Sequence, residues 1–331
     1  MAMKKKFLVI QTASIGDVIL ATAVVEKLHS YYSDSQIDIL IKKGYEGLFA
    51  NHEFINKVLT WDKKNGKYRN LFALIKEVRG ERYDLIVDIQ RHFATGLLTV
   101  LGGARETSGF DKNPLSMFFT HKVRHVLGVR GVHEVDRNNK LIEHLTDDRP
   151  AKPCLYPGSS VNESVRKYKS KRYICVAPCS LWATKQFPVE RWVELLSYAP
   201  DDLRVYLLGG GADVGVCEAI VSGLKGKDVV SLAGKLSLLE SAALMRDAAM
   251  NFVNDSSPMH LASSQNAPVT AVFCSTVPDF GFGPLSDNSA VVEERQKMKC
   301  RPCGLHGYKK CPEKHFKCAY NIDINELVNR L

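Results

Sequence analysis

Met250-Asn251-Phe252-Val253-Asn254-Asp255-Ser256-Ser257-Pro258-Met259-His260-Leu261-Ala262 is the stretch from which the architecture is read. Residues 250–253 have the apolar character of a buried strand, Asp255 and two hydroxyls follow, and Pro258 opens a short helix. Pro suits a first helical position because its missing N–H would have had no partner there. Such a strand-to-helix step is one half of a parallel βαβ unit. The helix start leaves backbone N–H groups unpaired and carries partial positive charge, which favours phosphate. His260, one turn or less inside, is placed to face the same anion. An ordinary capped helix is the plainer reading of the same residues.

Working outward, two runs of alternating strand and helix are predicted. The first has a strand over 7–10, a loop over 11–17 and a helix from 18 to about 31. Further strands follow at 37–41 and 84–89, with helical stretches near 71–78 and 94–101. Residues 146–171 are rich in Pro, Ser and Lys and read as a linker. The second run has strands at 173–177, 203–208, 229–232, 251–253 and 269–274. Its helices are expected at 188–198, from the glycine turn at 209–211 to about 224, at 238–247 and from Pro258. The reading is therefore α/β with two Rossmann-like doubly wound domains, 1–160 and 161–331, facing across a cleft. Ligands of open α/β sheets bind beyond the carboxyl ends of the strands.

The 331-residue chain is long enough for two cores and carries a net charge of +9 without a Lys/Arg block. An anionic ligand or surface fits that charge; a nucleic-acid binder does not, because no basic face with interleaved aromatics is present. Lys4-Lys5-Lys6 and the apolar residues 7–10 imitate a secretory signal, but Gln11, Ser14, Gly16 and Asp17 interrupt it. No apolar run is long enough for a bilayer. A cytoplasmic protein is expected, with room for peripheral contact at the inner face of the membrane. Nine cysteines fit that compartment better than a disulfide framework. Cys175, Cys179, Cys217 and Cys274 read as small buried residues. Cys300, Cys303, Cys311 and Cys318, with His306 and His315 between them, are compatible with a structural zinc or with a metal-free loop.

Each strand-end loop offers chemistry. Thr12-Ala13-Ser14-Ile15-Gly16-Asp17 joins the first strand to its helix; Gly16 permits a tight turn, and Asp17 is either a helix-capping residue or a base in the cleft. Arg91 and His92, after Asp88-Ile89-Gln90, are candidates to meet an anionic acceptor, as are Lys42 and Lys43. In the second half, Ser180, Thr184 and Lys185 suit a diphosphate whose charge grows as a bond breaks. Gly209-Gly210-Gly211-Ala212-Asp213 is a glycine turn, with Asp213 available to ribose hydroxyls or to a cap. Neither Gly-x-Gly-x-x-Gly after the first strand nor Gly-x4-Gly-Lys-Ser/Thr occurs. Asp-x-Asp is absent too, so no metal-chelating pair of that kind is available.

Taken in order, these loops resemble glycosyltransferase family 9, the ADP-heptose:lipopolysaccharide heptosyltransferases. The likeness rests on Ser14-x-Gly16-Asp17, Asp88-Ile89-Gln90-Arg91, Ser180-x4-Lys185 with Phe187-Pro188 and Leu208-Gly209-Gly210. It continues through Leu232-Ala233-Gly234-Lys235, Asp255-Ser256-Ser257-Pro258-Met259-His260, Pro284-Leu285 and the Cys-rich tail. The resemblance implies a GT-B fold with donor nucleotide on the second domain and acceptor on the first. It implies inverting, metal-independent transfer of heptose from ADP-heptose to the anionic lipopolysaccharide inner core, with no cofactor. By that likeness Asp17 is the general base, and Ser14, Gly16, Arg91 and His92 line the acceptor side. Ser180, Lys185, Gly209, Gly210, Asp213, Asp255, Ser256, Ser257 and His260 line the donor side. Ser257 departs from the glycine common at its position. Competing readings are another nucleotide-sugar transferase on the same fold, or a nucleotide-binding relative without turnover.

Overall fold

The computed structural model describes residues 4–331, which divide into two compact units, one ending at Tyr156 and the other running from Pro157 to Leu331. The first contains β1 (Lys6–Gln11), α1 (Ile15–Tyr31), β2 (Gln36–Lys42), β3 (Ile55–Trp61), α2 (Lys67–Glu81) and β4 (Leu85–Asp88). It continues with α3 (Phe93–Leu101), β5 (Glu106–Phe110), β6 (His121–Val123) and α4 (Glu134–Asn139). The second opens with α5 (Ser159–Arg166), β7 (Tyr173–Ala177), α6 (Val189–Ser197), β8 (Arg204–Leu207), α7 (Val214–Gly223) and β9 (Val229–Ser231). It closes with α8 (Leu238–Arg246), β10 (Asn251–Asn254), α9 (Ser257–Ser264), β11 (Val269–Phe273), β12 (Ser289–Glu293), α10 (Lys317–Tyr320) and α11 (Ile324–Val328).

Each unit holds one six-stranded parallel sheet, ordered β3-β2-β1-β4-β5-β6 and β12-β11-β10-β7-β8-β9. Counted from its own first strand, each sheet has the order 3-2-1-4-5-6, the doubly wound Rossmann arrangement. The central strands are buried along their length because helices cover both faces of a parallel sheet; β1, β4, β7 and β11 are apolar runs for that reason. Leu8, Ile10, Leu40, Trp61, Val78 and Leu98 fill the first core, and Ile174, Val176, Trp192, Leu195, Val205 and Phe252 the second. Among the described residues no helix is long and apolar enough to cross a membrane.

Four strands escape the sequence reading. β3, β6 and β12 are sheet edges, with polar or half-exposed positions that weaken the apolar signal. β5 is interior but polar: Ser108 is buried because its hydroxyl donates to the carbonyl of Leu141 at 2.6 Å. The stretch expected as linker contains α5, so a boundary after residue 160 falls inside a helix. α1 starts three residues earlier than expected because Ser14, not Asp17, caps it.

Candidate active site

In a 3-2-1-4-5-6 sheet the crevice opens where the winding reverses, beyond the carboxyl ends of the first and fourth strands. In the first unit these are β1 and β4, and their loops are joined there. The Gln11 side chain accepts from the Ala13 N–H at 3.1 Å and from the Gln90 amide. Ser14 caps α1 in a reciprocal box: the Ser14 hydroxyl and N–H donate to the Asp17 carboxylate at 2.5 and 3.1 Å. Gly16 is a buried residue of the first helical turn rather than the tight turn expected, since the helix begins before it. Asp17 therefore stands at the third helical position, half-buried, its carboxylate oriented by Ser14.

Positive charge gathers on the same end of the sheet. Lys63, which the sequence reading passed over, donates to the Thr12 carbonyl and hydroxyl at 2.8 and 2.9 Å. Burial, with Lys42 and Lys67 nearby, pushes its ammonium down to about 8. Burial, then Lys63, Arg91 and Lys67, hold the His92 imidazole below its ordinary range. Glu134 is buried against Arg137, with Oε2 2.6 Å from the guanidinium, and feels both the Asp17 carboxylate and Arg91. Asp17 and Arg91 thus share one electrostatic neighbourhood. Lys43 is instead paired with Asp62 at 3.2 Å.

Asp88 shapes the β4 loop from inside. It is fully buried, accepts from the Gln90 N–H at 2.9 Å and from the Asn113 amide at 3.1 Å, and burial pushes its pKa up to about 8. Between the ordinary carboxylate range and pH 8 the native chain then keeps a proton that the unfolded chain releases. The unfolded state binds fewer protons, so this group removes stability as pH rises through that window. Asp88→Asn should flatten the decline between pH 5 and 7 by up to about 1.4 kcal/mol per pH unit, the limit for one proton. Denaturant unfolding at several pH values checks this; equal slopes in both proteins would mean that native Asp88 is ionised.

In the second unit the corresponding strands are β7 and β10. Lys185 Nζ lies 2.7 Å from Asp255 Oδ2, and the two side chains are 15% and 9% exposed. The Thr276 hydroxyl donates to the same carboxylate oxygen at 2.6 Å. The ion pair thus links the two loops that the topology sets side by side. Asn254, last residue of β10 and fully buried, does the same through neutral bonds. Its oxygen accepts from the Phe187 N–H at 2.9 Å, and its NH2 donates to the Pro178 carbonyl at 2.6 Å. Sequence reading assigned Asn254 no role; a polar residue ending an apolar strand is the signal that could have found it. Asn254→Ala strands both buried backbone groups, and we expect a loss of about 3 kcal/mol with weaker nucleotide binding. Urea unfolding measures the first, and a loss below about 1 kcal/mol would show that the loops hold without it.

The remaining donor-side candidates follow the carboxyl ends of β7, β8 and β10. Ser256 is the residue before α9, and its side chain makes no cap bond to the helix; Ser257 begins the helix, so Pro258 is second rather than first. His260 is buried within α9. Ser180 is half-buried, its carbonyl accepting from the Gln186 amide at 2.6 Å. Asp213 caps the glycine turn, accepting from the Gly210 N–H at 2.8 Å. Gly234, at φ +72°, donates its N–H to the Gly209 carbonyl at 2.9 Å, packing the β9 loop onto this turn; a Cβ there would sit 3.2 Å from the Gly211 Cα.

The Cys-rich tail buttresses this site. The Tyr308 N–H donates to the Thr184 hydroxyl at 2.7 Å, the Ser275 hydroxyl donates to it at 3.0 Å, and the Cys303 N–H bonds the Ser275 carbonyl. Gly307, at φ +76°, allows the approach: a Cβ there would sit 2.8 Å from the Thr184 hydroxyl. No disulfide joins any of the nine cysteines, which are all among the described residues, and Cys175, Cys179, Cys217 and Cys274 are buried as expected.

A doubled 3-2-1-4-5-6 sheet with polar loops at both switch points is the construction of GT-B glycosyltransferases. A family model described as glycosyltransferase family 9 (heptosyltransferase) matches residues 71–309. The chain belongs to that family and is a glycosyltransferase. Lipopolysaccharide heptosyltransferase 3 of Escherichia coli is 26% identical over 287 residues, 82% of this chain and 84% of the relative. Among solved structures, the family 9 glycosyl transferase of Veillonella parvula DSM 2008 superposes with a TM-score of 0.86 at 21% identity, covering 100% of this chain and 97% of that one. E. coli ADP-heptose lps heptosyltransferase II superposes at 0.76 with 19% identity, covering 98% and 99%.

Proposed function

We propose that this chain moves a heptose from ADP-heptose to the lipopolysaccharide inner core, with inversion at the anomeric carbon and without a metal ion. The observation that carries the reading is the Lys185–Asp255 pair at the switch point of the second sheet, beside the start of α9. An ammonium has three donors and Asp255 uses one, which leaves Lys185 able to reach a diphosphate as well. The donor side is then Ser180, Lys185, Gly209, Gly210, Asp213, Asp255, Ser256, Ser257 and His260. Ser14, Gly16, Arg91 and His92, joined by Lys63, receive the anionic acceptor.

In the proposed reaction Asp17 takes the proton of an acceptor hydroxyl while its oxygen bonds to the anomeric carbon. The bond from that carbon to the diphosphate oxygen breaks on the opposite face, and the electron pair leaves with ADP. Charge building on the diphosphate is met by Lys185 and the positive end of α9. The name of the E. coli structure specifies ADP-heptose as that enzyme's donor, and the E. coli relative's name specifies lipopolysaccharide. We place the reaction at the cytoplasmic face of the inner membrane. Met117 and Phe118 are exposed beside exposed Lys122 and Arg124, a composition suited to peripheral contact with anionic lipid.

Incubating the purified chain with ADP-heptose and truncated core oligosaccharides tests the proposal. A product heavier by one heptosyl residue, formed in the presence of a chelator, is expected. Thermal shifts with ADP, UDP, GDP and dTDP accompany it, since a ligand of the native state alone raises stability. Stabilisation by UDP or GDP and not by ADP would reassign the donor; ADP binding without any product would make the chain a nucleotide-binding relative.

A further inference from the structure

Glu106, His121 and His144 each bring one ligand atom to within 4.8 Å of the other two, and these are, among the described residues, the set of three His, Cys or acidic side chains that does so. Glu106 Oε2 lies 2.9 Å from His121 Nε2 and 3.7 Å from His144 Nε2. The two imidazoles stack with centroids 3.7 Å apart and planes 22° from parallel. Glu106 begins β5, His121 begins β6, and His144 lies in the turn after α4. The cluster therefore sits at the amino ends of the strands, away from the loops after β1 and β4.

Donors held tetrahedrally at about 2.0–2.2 Å from one metal ion are themselves about 3.3–3.6 Å apart, and the two measured separations, 2.9 and 3.7 Å, bracket that range. Both imidazoles turn the same nitrogen, Nε2, toward one carboxylate oxygen. Hydrogen bonding alone explains a single such contact. It does not explain the second, because His144 Nε2, at 3.7 Å from the same oxygen, is beyond hydrogen-bond reach. The segments are also fixed without a metal. The Thr107 and Thr120 hydroxyls each accept from the other's backbone N–H, and Ser108 ties β5 to the turn at Leu141.

We propose that Glu106, His121 and His144 form a three-ligand site for a first-row divalent cation, with Zn2+ the best match and water completing the shell. Imidazole and carboxylate suit zinc, nickel and cobalt rather than magnesium or calcium. The ion cross-links the edge strand β6 and the turn after α4 to β5. α4 also carries Glu134 and Arg137, so occupancy stiffens the element packed beside Asp17. The site is independent of the proposed donor and acceptor.

The test compares the intact chain with a His121→Ala/His144→Ala variant, both loaded with Zn2+, dialysed and analysed for metal. The tail cysteines are common to both, so they cancel. The variant should hold one zinc fewer per chain. It should also lose a zinc-induced rise in Tm that wild type shows at neutral pH, while matching wild type by circular dichroism in EDTA. Glu106→Gln should weaken zinc binding by at least about 10-fold, the loss typical of even an outer-shell partner. If the double variant does not fold, anomalous diffraction at the zinc edge on wild-type crystals decides. Equal zinc content in both chains, or no anomalous peak between the three side chains, overturns the proposal.

Discussion

Asp17→Asn should lower turnover by about 10³-fold, within the range that a positioned general base contributes, while leaving ADP affinity within about 2-fold. Asn has nearly the same shape, and its oxygen can still accept from the Ser14 hydroxyl and N–H that now hold the carboxylate. The cap on α1 should persist, so a fall in stability above about 1 kcal/mol is not expected. What Asn cannot do is take a proton. Because Asp17 has a visible structural duty, the capping and chemical roles must be separated. Ser14→Ala removes the hydroxyl that orients the carboxylate but leaves the acid, and a loss of activity much smaller than that of Asp17→Asn is expected. Steady-state kinetics with both substrates, and ADP titration calorimetry, give the two readouts. Near-wild-type turnover in Asp17→Asn would remove this residue from the base role.

Lys185→Ala should weaken ADP-sugar binding and slow transfer together, by about 10²-fold or more in kcat/KM, equivalent to about 3 kcal/mol of lost transition-state stabilisation. It should also destabilise the second unit. Removing one partner of a largely buried pair leaves Asp255 with the Thr276 hydroxyl as its remaining donor, and such losses reach about 3–5 kcal/mol. The two effects are separable because they respond differently to a second change. Replacing both partners, Lys185→Met with Asp255→Leu, removes the uncompensated charge and should restore most of the stability. Transfer should remain lost, since no cation then meets the diphosphate. Recovery of activity together with stability would make the pair a structural bridge only. Unchanged kinetics in Lys185→Ala would count against any contact with the donor.

Much of the architecture is legible from local pattern. β1, β4, β7 and β11 are short apolar runs because a parallel strand covered on both faces has no polar side to display. The loops that follow these strands and β10 carry Asp17, Arg91, Lys185 and Asp255, so candidate chemistry is readable at the strand ends before any coordinates exist. The edge strands β3, β6 and β12 are not readable in the same way, because half of their surface faces solvent or polar loops. Their pairing is decided by neighbours far away in the chain. The start of α1 is ambiguous in the sequence for a related reason: Ser14 and Asp17 are each suitable caps, and only the backbone geometry shows that Ser14 takes the role and Asp17 reaches back to it.

Residue types and their order along the chain therefore determined the fold class and the set of candidate groups, since burial on both faces and the needs of helix starts act locally on sequence. The tertiary structure alone decided which groups meet. Strand order places the loops after β7 and β10 side by side, and this joins Lys185 to Asp255 and makes Asn254 the bolt between them. It also sets Lys63 and Glu134 among the residues around Asp17 and Arg91, and gathers Glu106, His121 and His144. Such pairings depend on crossover connections that carry the chain from one strand to a non-adjacent one. Distance along the sequence then says nothing about distance in space.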